Sequence, residues 1–189
     1  MKSRYIPFTQ QPYCCVPACI QMVLYKNDLP LKSQEEIGNA LGLRVRPESA
    51  HLFENVSTQE PKTGIWGTQI GNQRYEINDA FKNLGIPLAV TIQHIKDIKS
   101  ADELEKMLYE VEQTGGDALV CYKYGVLWNT DSNSGHVSVF DRIIDGKIRL
   151  VDPEQQVPKL RLNDAGRLYE AMVEHKAAAV PGVWIFSSK

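Results

Sequence analysis

The spacing of apolar residues along the chain predicts several helices. Apolar residues recur at helical spacing through 15–27, and Pro17 falls in the first turn, where its missing N–H group costs nothing. Ser33 and Glu36 form an S-x-x-E capping box, which predicts a second helix that ends at Gly42. The pattern predicts further helices over 75–84, over 101–113, and from a cap at Asn163 to about His175.

Alternating and continuous apolar runs predict a sheet in the rest of the chain. Residues 136–144 and 147–152 flank Asp145-Gly146, a dipeptide typical of a tight hairpin turn. Other runs of strand length are 87–93, 118–124 and 183–187. Helices that precede a mostly antiparallel sheet indicate the α+β fold class.

Residues 44–73 break this regularity. They are polar, contain Gly and Pro, and show no clear period, so we predict an irregular insertion within a single domain over 1–189. A loop of this length in a compact domain is usually functional. We expect it to shape specificity, with Gly64–Gly67 as a cleft edge.

Composition narrows the class of protein. Of the 189 residues, 43% are hydrophobic and 23% charged, which is ordinary for a globular protein. A net charge of −2 favours neither nucleic acid nor an anionic membrane as a partner. There is no apolar run long enough for a membrane span, and the first residues lack the apolar segment of a secretory signal. We therefore expect a cytoplasmic protein; the sequence leaves its oligomeric state open.

The four cysteines are Cys14, Cys15, Cys19 and Cys121. Adjacent cysteines do not easily bridge each other and chelate metal poorly compared with C-x-x-C spacing, so we expect reduced thiols and neither metal nor cofactor. Cys19 and Cys121 lie on apolar stretches and are predicted to be in the core.

A thiol at the start of the first helix is a candidate nucleophile, because unpaired N–H groups there favour the thiolate. It also needs a base. Of the four histidines, only His136 opens a predicted strand directly after a small polar loop. Gly135 before it allows another backbone or a substrate to approach closely.

Asp152 ends the strand after the hairpin turn and is a candidate partner for His136. A hairpin centred on Asp145-Gly146 places His136 opposite position 155, three residues beyond Asp152. A direct hydrogen bond between the two side chains therefore requires a bulge or a bend. An aspartate in that position holds an imidazole in one tautomer and orientation.

The order of these motifs resembles a known family. The matching stretches are Gln10 or Gln11, Cys15-Val16-Pro17-Ala18, Gly135-His136-Val137-Ser138-Val139 and Val151-Asp152-Pro153. Together they resemble the C39-type bacteriocin-processing peptidases and their C39-like relatives, within the papain-like superfamily. The resemblance spans essentially the whole chain. It implies a papain-like α+β fold, with N-terminal helices packed on a mostly antiparallel sheet, and a thiol hydrolase.

The resemblance also implies site roles. Cys15 becomes the nucleophile, His136 the general base and Asp152 the orienting residue. An upstream glutamine donates its side-chain amide to the oxyanion, with the Cys15 N–H group as the second donor. Relatives usually place this glutamine six residues before the cysteine, whereas Gln10 is five before and Gln11 four. We choose Gln10 and keep Gln11 as the alternative.

Two substrate contacts complete the predicted site: Gly135, and Trp128 in the predicted loop before His136. The predicted substrate is a peptide, an isopeptide or a small amide. If an amine replaces water, the same residues make an acyltransferase. Val16, where many relatives have glycine, and the offset glutamine motivate a rival, a peptide-binding module without catalysis. A redox sensor built on Cys14 and Cys15 is a third possibility.

Overall fold

The computed structural model describes residues 2–62, 64–175 and 181–188. Its α-helices are α1 (Cys15–Lys26), α2 (Gln34–Ala40), α3 (Ile77–Leu84), α4 (Ala101–Gln113), α5 (Tyr124–Trp128) and α6 (Ala165–Val173). Short 3-10 helices cover Pro47–Leu52, Gln73–Tyr75 and Ile95–Asp97. Among the described helices, none is both long and apolar enough to cross a membrane.

The strands form one antiparallel sheet. They are β1 (Leu88–His94), β2 (Asp117–Lys123), β3 (Gly135–Ile144), β4 (Lys147–Val151), β5 (Leu160–Asn163) and β6 (Gly182–Ser188). Within the described residues their order across the sheet is β1-β6-β2-β3-β4-β5, and each neighbouring pair is antiparallel. The predicted α+β class is confirmed.

Helices cover both faces of this sheet. Successive strand residues point to opposite faces, so Leu119 packs in the core beneath α1 and α3, while Val120 packs in the core beneath α4 and α6. Helix α1 packs against β3. The first helix residue and the first residues of β3 are therefore brought to the same side of the molecule.

Helix capping follows the sequence closely. Ser33 Oγ accepts a hydrogen bond from the Glu36 N–H group at 3.0 Å, and Glu36 Oε2 accepts one from the Ser33 N–H group at 2.7 Å. The predicted capping box is therefore present. Gly85 adopts φ of 68° as it closes α3, the left-handed conformation that a glycine takes without a steric penalty.

The prediction for the last helix is wrong at its start. Asn163 is the last residue of β5 and does not cap a helix; Asp164 precedes α6. Strand β5 was missed because its four residues, Leu-Arg-Leu-Asn, lie at the edge of the sheet with Leu160 and Leu162 exposed. A strand that buries so little apolar surface leaves only a weak pattern.

In the described part of 44–73, the predicted insertion, short 3-10 helices cover Pro47–Leu52 and begin at Gln73. Isolated bridges join Arg44 to Ser57 and to Gly67. A small buried cluster of Cys14, Leu43 and Val45 anchors it. Because Cys14 directly precedes α1, the insertion is fastened beside the start of that helix.

Candidate active site

A tight turn sets the start of α1. The Cys14 N–H group donates to the Gln11 carbonyl at 3.0 Å, with Pro12 second and Tyr13 third in the turn. Tyr13 has φ of 66°, so the turn matches type II, in which the third residue takes a positive φ. The Cys14 side chain makes no capping hydrogen bond, and Cys15 is the first helical residue. Unpaired N–H groups of the first turn therefore lie at Cys15.

The two adjacent cysteines have different surroundings. Cys14 is fully buried, and burial raises the pKa of its thiol to about 12. Cys15 is partly exposed. Burial leaves Cys14 as a neutral structural thiol and makes Cys15 the accessible one.

The other two thiols lie in the core, as predicted. Cys19 and Cys121 are buried, and Cys19 Sγ donates to the Val137 carbonyl at 3.3 Å. All four cysteines are free. In the described part of the chain, no group of three or more His, Cys, Asp or Glu side chains is placed to hold a metal ion.

His136 lies between an acid and a thiol. Its Nε2 donates to Asp152 Oδ1 at 2.7 Å, and the Cys15 side chain is close enough to influence its pKa. The rings of Tyr122 and Tyr124 pack edge-on against the imidazole, with centroid distances of 5.7 and 5.1 Å. Burial lowers the pKa of His136, but its interactions with Asp152 and Cys15 outweigh burial and raise this pKa to about 9.

A β-bulge brings Asp152 to His136. Near the turn Arg142 pairs with Arg149, but beyond Asp141 the register shifts by one and Phe140 pairs with Leu150. A one-residue shift moves every later side chain to the other face of the strand. Asp152 therefore shares a face with His136; in a regular hairpin it would point to the opposite face. The bulge that the sequence required is present.

Asp141, at the bulge, is buried and held by cations. Its Oδ2 accepts from Arg149 Nε at 2.6 Å, and its Oδ1 accepts from the Arg4 backbone N–H group at 2.8 Å. The Arg4 side chain donates to the Asp141 carbonyl at 2.6 Å. Sequence reasoning missed this cluster, although Asp141 and Arg149 are opposite charges inside two adjacent and mostly apolar predicted strands. That pattern was the available signal.

Asp152 is fully buried with both carboxylate oxygens engaged. Besides His136, Oδ1 accepts from the Glu154 N–H group at 3.0 Å, and Oδ2 accepts from Arg161 at 3.3 Å. Burial raises the pKa of this carboxyl group, but the bonds to His136 and Glu154 and the charge of Arg161 bring it below its ordinary value. Arg161 was missed because it lies on the unpredicted strand β5.

Gln10 lies beside the turn that follows Asp152. Its N–H group donates to the Pro153 carbonyl at 2.9 Å, and its side-chain Nε2 donates to Glu154 Oε2 at 3.0 Å. Gln11 instead donates its backbone N–H group to Gln34 Oε1 at 2.7 Å, on the side of α2. The Gln10 side chain therefore lies at the turn that follows Asp152, whereas Gln11 is bonded to α2.

The two predicted substrate contacts have partners within the chain. Trp128 is the last residue of α5 and not part of a loop, a correction to the prediction; its ring stacks on the Arg161 guanidinium group at 3.2 Å. A side chain added at Gly135 would meet the His175 ring at 2.4 Å. The group that closely approaches Gly135 is therefore His175, and substrate contact at both positions stays a prediction.

The pH dependence of stability follows from two buried histidines. The pKa of His136 is about 9 in the folded chain against 6.5 ordinarily, so its contribution is complete below pH 6.5 and is lost as the pH rises toward 9. Burial and then Lys123 lower the pKa of His175, so its contribution is lost as the pH falls below 6.5. We expect the free energy of unfolding to fall by up to about 1.4 kcal/mol per pH unit between pH 6.5 and 9.

Denaturant unfolding at several pH values measures this slope. His136→Gln should remove most of it, because the group that releases the proton is gone. An equal slope in wild type and variant would assign the pH dependence to other groups.

Similarity to known proteins is found in the structure and not in the sequence. No protein-family model matches the sequence, and no curated protein matches it either. The structure is similar to a presumed C39-like peptidase from Bacillus anthracis, with a TM-score of 0.60 and 13% identity over 100% of this chain and 99% of that one. It is also similar to the peptidase domain of Streptococcus ComA, a bifunctional ABC transporter involved in quorum sensing, with a TM-score of 0.54 and 14% identity over 98% of both chains.

A third similar structure is a double-glycine motif protease from an AMS/PCAT transporter, solved with its leader peptide. The TM-score is 0.51 and the identity 11%, over 98% of this chain and 92% of that one. These likenesses span the whole sheet and its helices. The chain has the fold of the C39-like peptidases, as its motifs predicted.

Proposed function

We propose that the chain is a thiol hydrolase that cleaves peptide or amide bonds with Cys15, His136 and Asp152. One observation carries the proposal: His136 donates to the buried Asp152 carboxylate at 2.7 Å, and the partly exposed Cys15 lies close enough to raise the pKa of the same imidazole. A nucleophile, its base and an orienting acid in a row is the arrangement of nucleophilic catalysis.

The first half of the reaction transfers the acyl group. The Cys15 thiolate attacks the substrate carbonyl carbon and forms a C–S bond. The protonated His136 then gives its proton to the leaving amine as the C–N bond breaks. The pKa of about 9 keeps this imidazole protonated at neutral pH, so the proton is available.

The second half releases the acid. Water gives a proton to His136 and attacks the thioester carbon. The C–S bond breaks, a carboxylic acid leaves, and the Cys15–His136 pair is restored. Asp152 holds the ring in place throughout.

In each half of the reaction the substrate carbonyl oxygen becomes negatively charged, and two hydrogen-bond donors are needed to stabilise it. We assign them to the Cys15 N–H group at the start of α1 and to the Gln10 amide. Glu154 accepts one hydrogen of Gln10 Nε2 at 3.0 Å, and a carboxylate can only accept. Glu154 thereby identifies the atom that it contacts as the NH2 nitrogen of Gln10. The second hydrogen of this group is left for the oxyanion.

A peptide is the proposed substrate. The similar double-glycine motif protease was solved with a leader peptide, which supports a peptide ligand on this fold. Tyr13 and Trp66 form a ring pair next to Cys14, and Tyr124 and Trp128 form another next to His136. We propose that these aromatic pairs flank a peptide at Cys15, within one C39-like peptidase domain over 1–189.

The test measures the rate of iodoacetamide labelling against pH, with fragment-ion mapping to separate Cys14 from Cys15. In wild type we expect Cys15 to react selectively at pH 6, and His136→Ala to slow this by roughly 10- to 100-fold. His51→Ala, at an exposed histidine in the insertion, is the matched control and should leave the rate unchanged. Slow labelling of Cys15, or equal rates in wild type and His136→Ala, would overturn the proposal in favour of a binding module.

A further inference from the structure

We infer that Arg161 is a positioning residue of this site. It fixes the orientation of the Asp152 carboxylate and holds in place the rings of Tyr124 and Trp128, which form a wall beside His136. The inference rests on the proposed function. It concerns a residue that contacts no reacting atom and acts through Asp152 and the wall.

The contacts of Arg161 join three elements. One guanidinium nitrogen donates to Asp152 Oδ2 at 3.3 Å and to the Tyr124 hydroxyl group at 3.2 Å. The guanidinium carbon lies 3.2 Å from the centre of the Trp128 ring. The Arg161 side chain is only 18% exposed and that of Asp152 is fully buried, so this ion pair is shielded from solvent.

Strand register explains the placement. Arg161 on the edge strand β5 pairs with Leu150 on β4, and directly paired residues share a face. Asp152 lies two residues beyond Leu150 and on the same face, within reach of a long side chain. The planar guanidinium group can then stack on Trp128 while its edge donates to the carboxylate.

The carboxylate has a separate partner for each oxygen. Oδ1 serves His136 and the Glu154 N–H group, and Oδ2 serves Arg161. Without Arg161, Oδ2 of a fully buried carboxylate would lose its cation, and Asp152 would be free to rotate away from His136. Tyr124, whose ring lies 5.1 Å from that of His136, would lose its tether at the same time.

The buried thiols and hydroxyl groups near the site do not compete with this effect. Burial raises the pKa of the Cys19 and Cys121 thiols and of the Tyr122 and Tyr124 hydroxyl groups, so they remain neutral. Cys14 is neutral for the same reason. Charged or titratable groups beside the triad include Arg161, Glu154, Lys159, whose Nζ donates to the Pro153 and Glu154 carbonyls, and His175, whose ring lies against Gly135 and whose pKa is lowered by burial.

The experiment compares pH profiles of Cys15 alkylation. In Arg161→Gln we expect the rise of the labelling rate with pH, the acid limb of the profile, to occur about 0.5–1 pH unit higher. Without Arg161 the ionised Asp152 is held less firmly, so it stabilises the protonated His136, and with it the Cys15 thiolate, less well. Arg161→Lys keeps the charge but not the planar stack, so the acid limb should move in the same direction by a smaller but measurable amount. Arg167→Gln is the control, since Arg167 pairs with Glu170 on the exposed surface of α6.

The outcomes separate this inference from the proposed function. If the Arg161→Gln profile overlays wild type while His136→Ala loses fast labelling, Arg161 has no positioning role and the hydrolase proposal stands. If His136→Ala has no effect either, the proposed function fails. Circular dichroism checks folding; should Arg161→Gln not fold, Arg161→Lys decides, with a shifted acid limb supporting the inference and an overlay refuting it.

Discussion

Replacing Asp141 with alanine is expected to lower the free energy of unfolding by about 3–5 kcal/mol. Asp141 is fully buried and binds Arg149 at 2.5 Å as well as the Arg4 backbone. Removing the carboxylate leaves the Arg149 charge, itself only 7% exposed, without this partner. Urea unfolding of wild type and variant gives the difference directly.

A second aspartate provides the control for this loss. Asp164 forms an ion pair with Lys147 at 3.7 Å, and both side chains are more than half exposed. Asp164→Ala should therefore cost less than about 1 kcal/mol. A loss of similar size in both variants would mean that the Asp141 cluster contributes no more than a surface pair.

Replacing Asp152 with alanine is expected to lower the pKa of His136 from about 9 to below 6.5. Burial alone favours the neutral imidazole, and the hydrogen bond to Asp152 is the first of the interactions that oppose it. Asp152→Asn keeps an acceptor but no charge, so an intermediate pKa is expected. Histidine ring resonances followed by NMR against pH measure all three proteins.

The same titration contains its own reference. His51 is exposed, so its resonance serves as a reference that the substitutions at Asp152 should leave unchanged. A His136 pKa that stays near 9 in Asp152→Ala would assign the raised value to Cys15 instead, and Asp152 would then have no electrostatic role.

Local signals explain which parts of the fold could be predicted. Helix α1 has a proline in its first turn, and the hairpin has Asp145-Gly146 at its centre, so both were placed from a few adjacent residues. The capping box at Ser33 and Glu36 is equally local. These features need no knowledge of distant partners.

The remaining features depend on distant partners. The need for a bulge could be deduced from the spacing of His136 and Asp152, but its place at Asp141 is set by Arg4 and Arg149, far apart in sequence. Arg161 reaches the site only because β5 pairs with β4. The contact between Gly135 and His175 likewise joins separate elements, and no periodicity encodes it.

The residues of the candidate site were predicted from the order and spacing of the sequence motifs. How deeply each residue is buried could be seen only in the structure. Cys14 and Cys15 are indistinguishable by residue type, and only the packing of Cys14 against Leu43 and Val45 separates them. Gln10 and Gln11 are separated in the same way, by their partners on opposite sides of the tight turn.

The segment before α1 bonds to residues far along the chain, and this has a consequence for the order in which the site forms during translation. Arg4 binds Asp141 across 137 positions of sequence, and Gln10 binds Glu154 across 144. The segment that carries the thiol is translated well before its partners on β3 and after β4. Such long-range contacts form slowly and only once both partners exist. A nascent chain therefore has no assembled candidate site until translation has passed Glu154.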